Sequence, residues 1–372
     1  MNGQWIGSYS GTNTGVVVTD LDDVGNHYAG VVFAYDNNPA FTTAFAHLEI
    51  PKAKTTFSLG VSLEHMERGS ASTLTPASLA QKFPGVQTPT HADTEWEVMP
   101  KKILLKWGTN IGTNGEGLMV KTEGQSPSLL TPRSDVTTWE QFKKFVLTLE
   151  PYRFAFRGHE KNTWRLRTAF HRTGRANLMK FMGQDVPALH RHLSGLTTHY
   201  FNLSDRLDYA AFLNLAQHHG YPTPILDWTH SPFVAAYFAF KDLRTKNAEP
   251  DQKVRILILD ARGWNANYER APVLMPGFLH MTMLEPLTTN NPRVLPQQSI
   301  SSVTNVDDLE TYVGEIENRA GKQYLSAIDL HVGERRTVMQ DLALMGITAG
   351  SLFPGLDGAC LQLKERFFDL DD

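Results

Sequence analysis

The chain has 372 residues, too many for one ordinary domain and suited to two, each able to bury a core without cross-links. Its single cysteine, Cys360, excludes an intramolecular disulfide. The start MNGQWIGSYSG lacks the basic opening and apolar stretch of a secretory signal, so the expected setting is reducing and cytoplasmic. The longest apolar runs, 233–240 and 256–259, fall far short of the roughly 20 residues that span a bilayer, so no membrane partner is expected. A net charge of −4 argues against coating nucleic acid with the whole chain, although a local basic patch stays compatible with phosphate.

Residues 1–125 read as short extended segments: QWIGSY, GVVVTDLDD, HYAGVVFAYD, TTFSLGVSL, TEWEVMP, KKILLKW and GLMVK. The clusters GTNTG, DNNP and GTNGEG between them are turn formers, and no helical period is sustained. An antiparallel β barrel or sandwich follows, with Trp5, Gly7 and Tyr9 on one face and Val16 and Val18 repeating the pattern across the turn. Its interior is either a packed core or a place for a ligand or partner. Residues 126–136 are rich in Ser and Pro and aperiodic, which suits a linker.

From 137 to 372 the elements mix, and an α+β domain is expected. TTWEQFKKFVLTL places Trp139, Phe142, Phe145, Val146 and Leu149 at helical spacing, opening the domain with an amphipathic helix capped by Thr137 or Thr138. Strands are expected at YRFAFRG, TWRLRTAF and VRILILDA, and helices over about 186–198, 208–219, 232–241 and 333–345. PRVLPQQS reads as irregular.

Polar residues gather in this second part. FAFRGHE ends a strand on Arg157, with Gly158 permitting a turn, so the arginine is expected to project from the strand end and hold an anion. Between Arg157 and Lys180 seven Lys or Arg residues stand against one acid, Glu160, and alternation puts Arg165 and Arg167 on one face of their strand. In QHHGYPTPILDWTHSPFVAAYFAF, Gly220 closes a helix while Gln217 and His218 face away from its apolar side. Pro222, Pro224 and an N-cap at Ser231 then trap Asp227, Trp228 and Thr229 in a short rigid link. Asp227 is placed either for chemistry or to cap the next helix. Tyr237 is core, with a hydroxyl that could reach the site. Adjacent histidines diverge by about 100° on a helix and seldom share an ion, and H-E-x-x-H, C-x-x-C, G-K-[ST] and G-x-S-x-G are all missing, so no metal is expected.

Five segments in order, FRG at 156–158, LRTAFHR ending at Arg172, AQHHGYPTPILDWTHSPFVAAYFA at 216–239, PRVLPQQS at 292–299 and GITAGSLFPGLDG at 346–358, resemble the motifs of the FRG-domain family over about 137–363. The resemblance implies a bacterial or phage-encoded cytosolic protein of toxin or phage-defence type. It carries over Arg157, Gly158, Arg172, Gln217, His218, Asp227, Trp228, Arg293, Gln297 and Asp357. This chain departs from the pattern at His159, where glutamine is usual, at His219, where tyrosine is frequent, and at Ser299, where glycine is frequent.

The leading expectation is an ADP-ribosyltransferase-like enzyme acting on a nucleotide, NAD above all, by transfer to a nucleic-acid or protein acceptor or by hydrolysis. Mixed architecture and a strand-end arginine suit that class. Arg157, with Arg165, Arg172 or Arg293, would hold the diphosphate, and Asp227 or Glu160 would face the cationic ribose as nicotinamide leaves. His218 would act as acid or base, Trp228 would stack on a base, and Gln217 and Gln297 would contact the nucleotide. The alternatives are a nucleic-acid binding or cleaving effector that uses the basic run with His218 and His171 or His159, and a non-enzymatic sensor or adaptor.

Overall fold

The computed structural model describes residues 1–372 apart from 53, 69–71, 244–248, 250, 269–270, 272–273, 286, 288 and 369–372. The N-terminal strands are β1 (Gly3–Gly11), β2 (Gly15–Asp23), β3 (His27–Asp36), β4 (Thr43–Pro51), β5 (Thr56–Ser62), β6 (Glu64–Met66), β7 (His91–Val98), β8 (Lys102–Thr109) and β9 (Asn114–Lys121). They form one antiparallel sheet in the order β5-β7-β8-β9-β1-β2-β3-β4-β6, which curls until β5 lies beside β4, a nearly closed barrel. A short helix, α1 (Pro76–Lys82), precedes β7.

Two strands went unread in the sequence. β4 is TAFAHLEIP, whose inward positions open with two alanines, Ala44 and Ala46, before Leu48 and Ile50, and β6 is only three residues long. The β1–β2 register sets Gly7 opposite Val17, so Val17, not Val16 or Val18, shares the inner face with the buried Trp5 and Tyr9. Outward-facing Val31, Phe33 and Phe45 are buried too, because Met179 of the second part packs on them.

The second part is built on strands β10 (Ala155–His159), β11 (Ile225–Thr229), β12 (Lys253–Leu259), β13 (Met281–Leu284), β14 (Ser299–Thr304) and β15 (Leu325–His331), in the order β13-β14-β11-β10-β12-β15. Every neighbouring pair is antiparallel. The helices are α2 (Trp139–Val146), α3 (Ala169–Arg172), α4 (Leu178–Lys180), α5 (Val186–Leu193), α6 (Arg206–His218), α7 (Pro232–Phe240), α8 (Ala261–Asn267), α9 (Leu309–Ala320), α10 (Arg335–Leu344), α11 (Ala349–Leu352) and α12 (Leu356–Phe368). Alternation along β12 and β15 sends Ile256, Ile258, Ile328 and Leu330 to one face, under α2, α7 and α10. Leu257, Leu259, Leu325 and Ala327 go to the other, under α8 and α9.

Two expectations are corrected. TWRLRTAF is not a strand: residues 164–168 are irregular and lead into α3. Asp227, Trp228 and Thr229 lie not in a link but on β11, paired with Ser301, Ile300 and Ser299 of β14. Residues 126–136 run against the second part, with Ser128 Oγ donating to Glu310 Oε2 at 2.8 Å and Arg133 N to the Ala327 carbonyl at 2.8 Å.

Buried carboxylates join the two parts. Asp22 of β2 accepts from the Ala176 and Asn177 amides, at 2.7 and 3.0 Å, and pairs with Arg175. Gln4 of β1 donates to Asp20 Oδ1 at 2.9 Å and to the Asn305 carbonyl at 2.8 Å, while its Oε1 accepts from Asp307 N. Burial pushes the Asp20 carboxyl up to about 8, opposed by the bond from Gln4 and reinforced by Asp22 and Asp307. A carboxyl held above its unfolded value of about 3.9 contributes stability that is full below that value and lost as pH climbs through about 8. Asp20→Asn should therefore gain thermal stability relative to wild type by several degrees between pH 5 and pH 9. Parallel melting-temperature profiles for the two proteins would show that Asp20 is ionised throughout.

Candidate functional site

The central strands β10 and β11 are paired only at Phe156 and Thr229. Beyond that point they splay, and the gap opens into a cavity of about 350 Å³. Arg157 sits in the middle of β10 instead of at its end, and its Nη1 donates to the Asp227 carbonyl at 2.5 Å, supplying the bond that the ladder omits. Its Nε donates to His159 Nε2 at 3.2 Å, and the other ring nitrogen of His159 faces the Trp164 carbonyl at 3.2 Å. His159 is thus a buried neutral spacer, its pKa driven down to about 3 by burial and then by Arg157. Burial also lowers Arg157, to about 10, with Asp227 acting against the shift.

Gly158 has a different task from the expected turn. A Cβ there would lie 2.1 Å from the Ala235 carbonyl oxygen and 2.7 Å from the Ala239 nitrogen, so only glycine lets β10 press against the backbone of α7. The motif is a packing device beside a charge.

His218 is the last residue of α6, which breaks at Gly220 with φ of 88°. Its imidazole is 9% exposed, and Nε2 stands 3.7 Å from Asp227 Oδ1. Asn214 Nδ2 donates to Ser301 Oγ at 3.0 Å, leaving Asn214 Oδ1 to accept from Asn291 Nδ2 at 2.8 Å. The second Asn291 N–H reaches His218 Nδ1 at 2.6 Å. An amide nitrogen only donates, so Nδ1 accepts, and the neutral ring carries its proton on Nε2, toward Asp227. Asp227 Oδ1 is buried without a hydrogen bond, whereas the carboxylate as a whole is 40% exposed, so Oδ2 faces the cavity. Capping does not explain this residue: the cap of α7 is Ser231, whose Oγ accepts from Val234 N.

Glu160, Gln217, Arg293 and Gln297 line the same cavity. Arg293 Nη1 donates to the His218 carbonyl at 2.8 Å, and its guanidinium lies 5.4 Å from the centre of the Phe353 ring. Gln217 Oε1 accepts from Thr223, and Gln297 Nε2 donates to the Leu352 carbonyl at 3.0 Å. Burial raises the Glu160 carboxyl, with Asp242 adding and Lys241 opposing. Arg172 stands behind the cavity, near enough to Arg157 for each to feel Asp227, and bonds the Arg167 carbonyl at 2.9 Å.

Other expected side chains are engaged elsewhere. Arg165 is locked to Asp308 by two 2.8 Å bonds and does not line the cavity. Trp228 borders the cavity but is only 3% exposed, and its Nε1 donates into the core, to Ser302 Oγ at 3.0 Å. Tyr237 donates to Glu365 of α12, and Asp357 is exposed in the first turn of that helix. His171 is fully buried against Thr168. Among the described residues no three His, Cys, Asp or Glu side chains converge as metal ligands, and no helix is long and apolar enough to cross a membrane.

The arginines divide by partner. Arg165, Arg167, Arg175 and Arg255 are each ion-paired, to Asp308, Asp307, Asp22 with Asp185, and Asp329. Among the described residues no carboxylate lies within ion-pair distance of Arg157, Arg172 or Arg293. This strand, histidine helix and aspartate strand make up one contiguous stretch of sequence. Residues 152–248 match the family model of the FRG domain. The FRG match takes in Arg157, Glu160, Arg172, Gln217, His218 and Asp227, while Arg293 and Gln297 reach the FRG cavity from beyond it. No curated protein matches the chain. Among solved structures, a redesigned β barrel, mFAP1, bound to DFHBI, is similar at 13% identity with a TM-score of 0.23, covering 32% of this chain and 94% of that one.

Sequence reasoning missed Asn214 and Asn291. Asn291 falls one residue before the PRVLPQQS segment, and Asn214 is the polar residue on the buried stretch 211–216 of α6, which is the signal that could have flagged it. Gly158→Ala should cost roughly 3 kcal/mol in urea unfolding, because backbone and not a side-chain tip must move. Asn291→Leu should free His218 Nδ1, and ¹⁵N shifts of the ring should move from the Nε2–H form toward a mixture. Unchanged ring shifts would mean that Asn291 does not set the tautomer.

Proposed function

We propose that this cavity binds a phosphate-bearing nucleotide, NAD in the first instance, and breaks its nicotinamide–ribose bond in the manner of an ADP-ribosyltransferase or NAD hydrolase. The single observation that supports this reading is that two guanidinium groups without carboxylate partners, Arg157 and Arg293, line one cavity with Asp227, while a third, Arg172, lies within electrostatic reach of that carboxylate. A cation drawn into the sheet without a counter-ion, as Arg157 is, is costly, and a diphosphate would supply the missing charge.

In this mechanism Arg157 and Arg293 hold the diphosphate, with Arg172 adding positive potential from behind. The bond between the ribose C1 and the nicotinamide nitrogen breaks, its electron pair leaving with neutral nicotinamide. The positive charge left on the ribose is met by Asp227. Water or an acceptor nucleophile then bonds to C1 and gives its proton to Asp227 Oδ2, the oxygen open to the cavity. His218 is a donor here, not a base: with Nδ1 taken by Asn291, its Nε2–H steadies Asp227 Oδ1. Glu160 and Asp242 are the other acidic groups lining the cavity, and Glu160 suits contact with an acceptor. NAD consumption of this kind would fit a cytoplasmic effector of toxin or phage-defence type.

The nucleic-acid reading loses its observation, since three cations of the basic run, Arg165, Arg167 and Arg175, are spent on ion pairs within the protein. Incubation of the full chain with isotopically labelled NAD and total cell extract, followed by mass spectrometry of nucleotides, nucleic acids and proteins, checks the proposal. Wild type should release labelled nicotinamide, and Asp227→Asn and Arg157→Ala should each lower the rate by about a hundredfold or more. Intact NAD with every acceptor, or full activity in Asp227→Asn, would sink it.

A further inference from the structure

The barrel encloses a second cavity, of about 320 Å³, that shares no residue with the FRG site. Its wall follows from strand alternation: Val17, Ala34, Ala46, Leu48, Val61 and Leu105 face inward. The alanines matter most. A small barrel is ordinarily filled by its own side chains, and Ala34, Ala46 and Ala92 stand where larger residues would have closed this one. Trp96 and Trp107 give the interior flat faces, with Trp107 packed edge-on against Tyr9 at 5.4 Å between ring centres.

The lining of this cavity includes both exposed apolar groups and one acidic group. Phe41 and Val86 line it while 39% and 47% exposed, more than large apolar side chains need to be on a finished surface. Asp36, at the start of the turn that carries Phe41, accepts from Asn13 Nδ2 at 2.8 Å and Tyr9 OH at 3.3 Å on one oxygen and from Asn38 N at 2.8 Å on the other. Burial, then the neighbouring Asp36 charge, push the Tyr9 phenol up, so it stays a donor. His65 bonds Thr42 Oγ1 at 2.9 Å and the Pro89 carbonyl at 2.7 Å, tying two rims together, and burial lowers its pKa. No lysine or arginine lines the cavity, and Asp36 is the one carboxylate among its described residues.

We propose that the barrel interior is a binding site for a compact aromatic amine, its ring seated against Trp96 and Trp107 and its ammonium group at the mouth beside Asp36. An apolar, preformed pocket with a single oriented charge is the usual design of a small-molecule site, and the sign of that charge selects cations over anions. The site is independent of the nucleotide reading, because no residue serves both.

Two isosteres of opposite charge, 1-naphthylmethylamine and 1-naphthoate, test this by calorimetry and tryptophan quenching on the full chain. The amine should bind with one-to-one stoichiometry and raise the melting temperature, and the carboxylate should bind at least tenfold more weakly. Asp36→Asn should remove that preference while keeping the fold. Ala46→Phe, and separately Ala34→Leu, should fill the cavity and abolish binding of both probes, with folding checked by circular dichroism. Arg157→Ala should leave amine binding unchanged. The proposal fails if neither probe binds wild type, if the carboxylate binds as tightly as the amine, or if both folded cavity-filling variants bind as wild type does.

Discussion

The hydrogen bond from the Arg157 guanidinium to the Asp227 carbonyl is the constraint on which the FRG site depends. Continued past Phe156 and Thr229, the antiparallel register would set Gly158 opposite Asp227, and the two strands would close the sheet. A backbone carbonyl in a sheet interior must be satisfied by something. Here a side chain takes the ladder's place, so the strands part by the width of a guanidinium and a cavity exists where the core would otherwise continue. On the opposite edge of β10, five consecutive residues pair with β12, and the missing Cβ of Gly158 locks the strand onto α7. One edge and one face of β10 are fixed while the other edge is held open.

The same bond determines the charge state of the site. Arg157 is drawn into the sheet, where burial lowers its pKa to about 10, yet at that value it remains a cation at neutral pH. Protein interiors normally answer such a group with a carboxylate, and this chain does so repeatedly, with Asp308 for Arg165, Asp307 for Arg167 and Asp329 for Arg255. At the cavity the nearest carboxylate, Asp227, instead turns Oδ1 toward His218 and leaves Oδ2 to the open space. Positive charge is therefore left uncompensated in one place only along this group of arginines.

The sequence carried the cast of this site better than its geometry. Arg157, His218 and Asp227 stood out by residue type and motif, and they do meet in one cavity. Their backbone setting was misread, because Pro222, Pro224 and the Ser231 cap punctuate ILDWT so strongly that five strand residues looked like a link. Period-two alternation also suggested a strand for TWRLRTAF, but its arginines point alike because Asp307 and Asp308, some 140 residues away in sequence, hold them. Nothing local encodes such partners. In the barrel, turn residues marked seven strands, whereas β4 was hidden by the alanines that make room for the cavity.

Whether the barrel can influence the FRG site comes down to the links between them. Gln4 Oε1 accepts from Asp307 N, Asp307 pairs with Arg167, the Arg167 carbonyl accepts from Arg172, and Arg172 lies within electrostatic reach of Arg157. That route is continuous, but contact alone is not coupling, which requires an element with two arrangements. Gln4, Arg167 and Asp307 are all buried, and Thr122 gives Asp307 a further bond at 2.9 Å. Close-packed and fully paired groups of this kind transmit position and resist rearrangement. The network thus acts as a fixed mount: the barrel holds Asp307, Asp307 holds Arg167, and the carbonyl of Arg167 sets where Arg172 adds its charge behind the cavity.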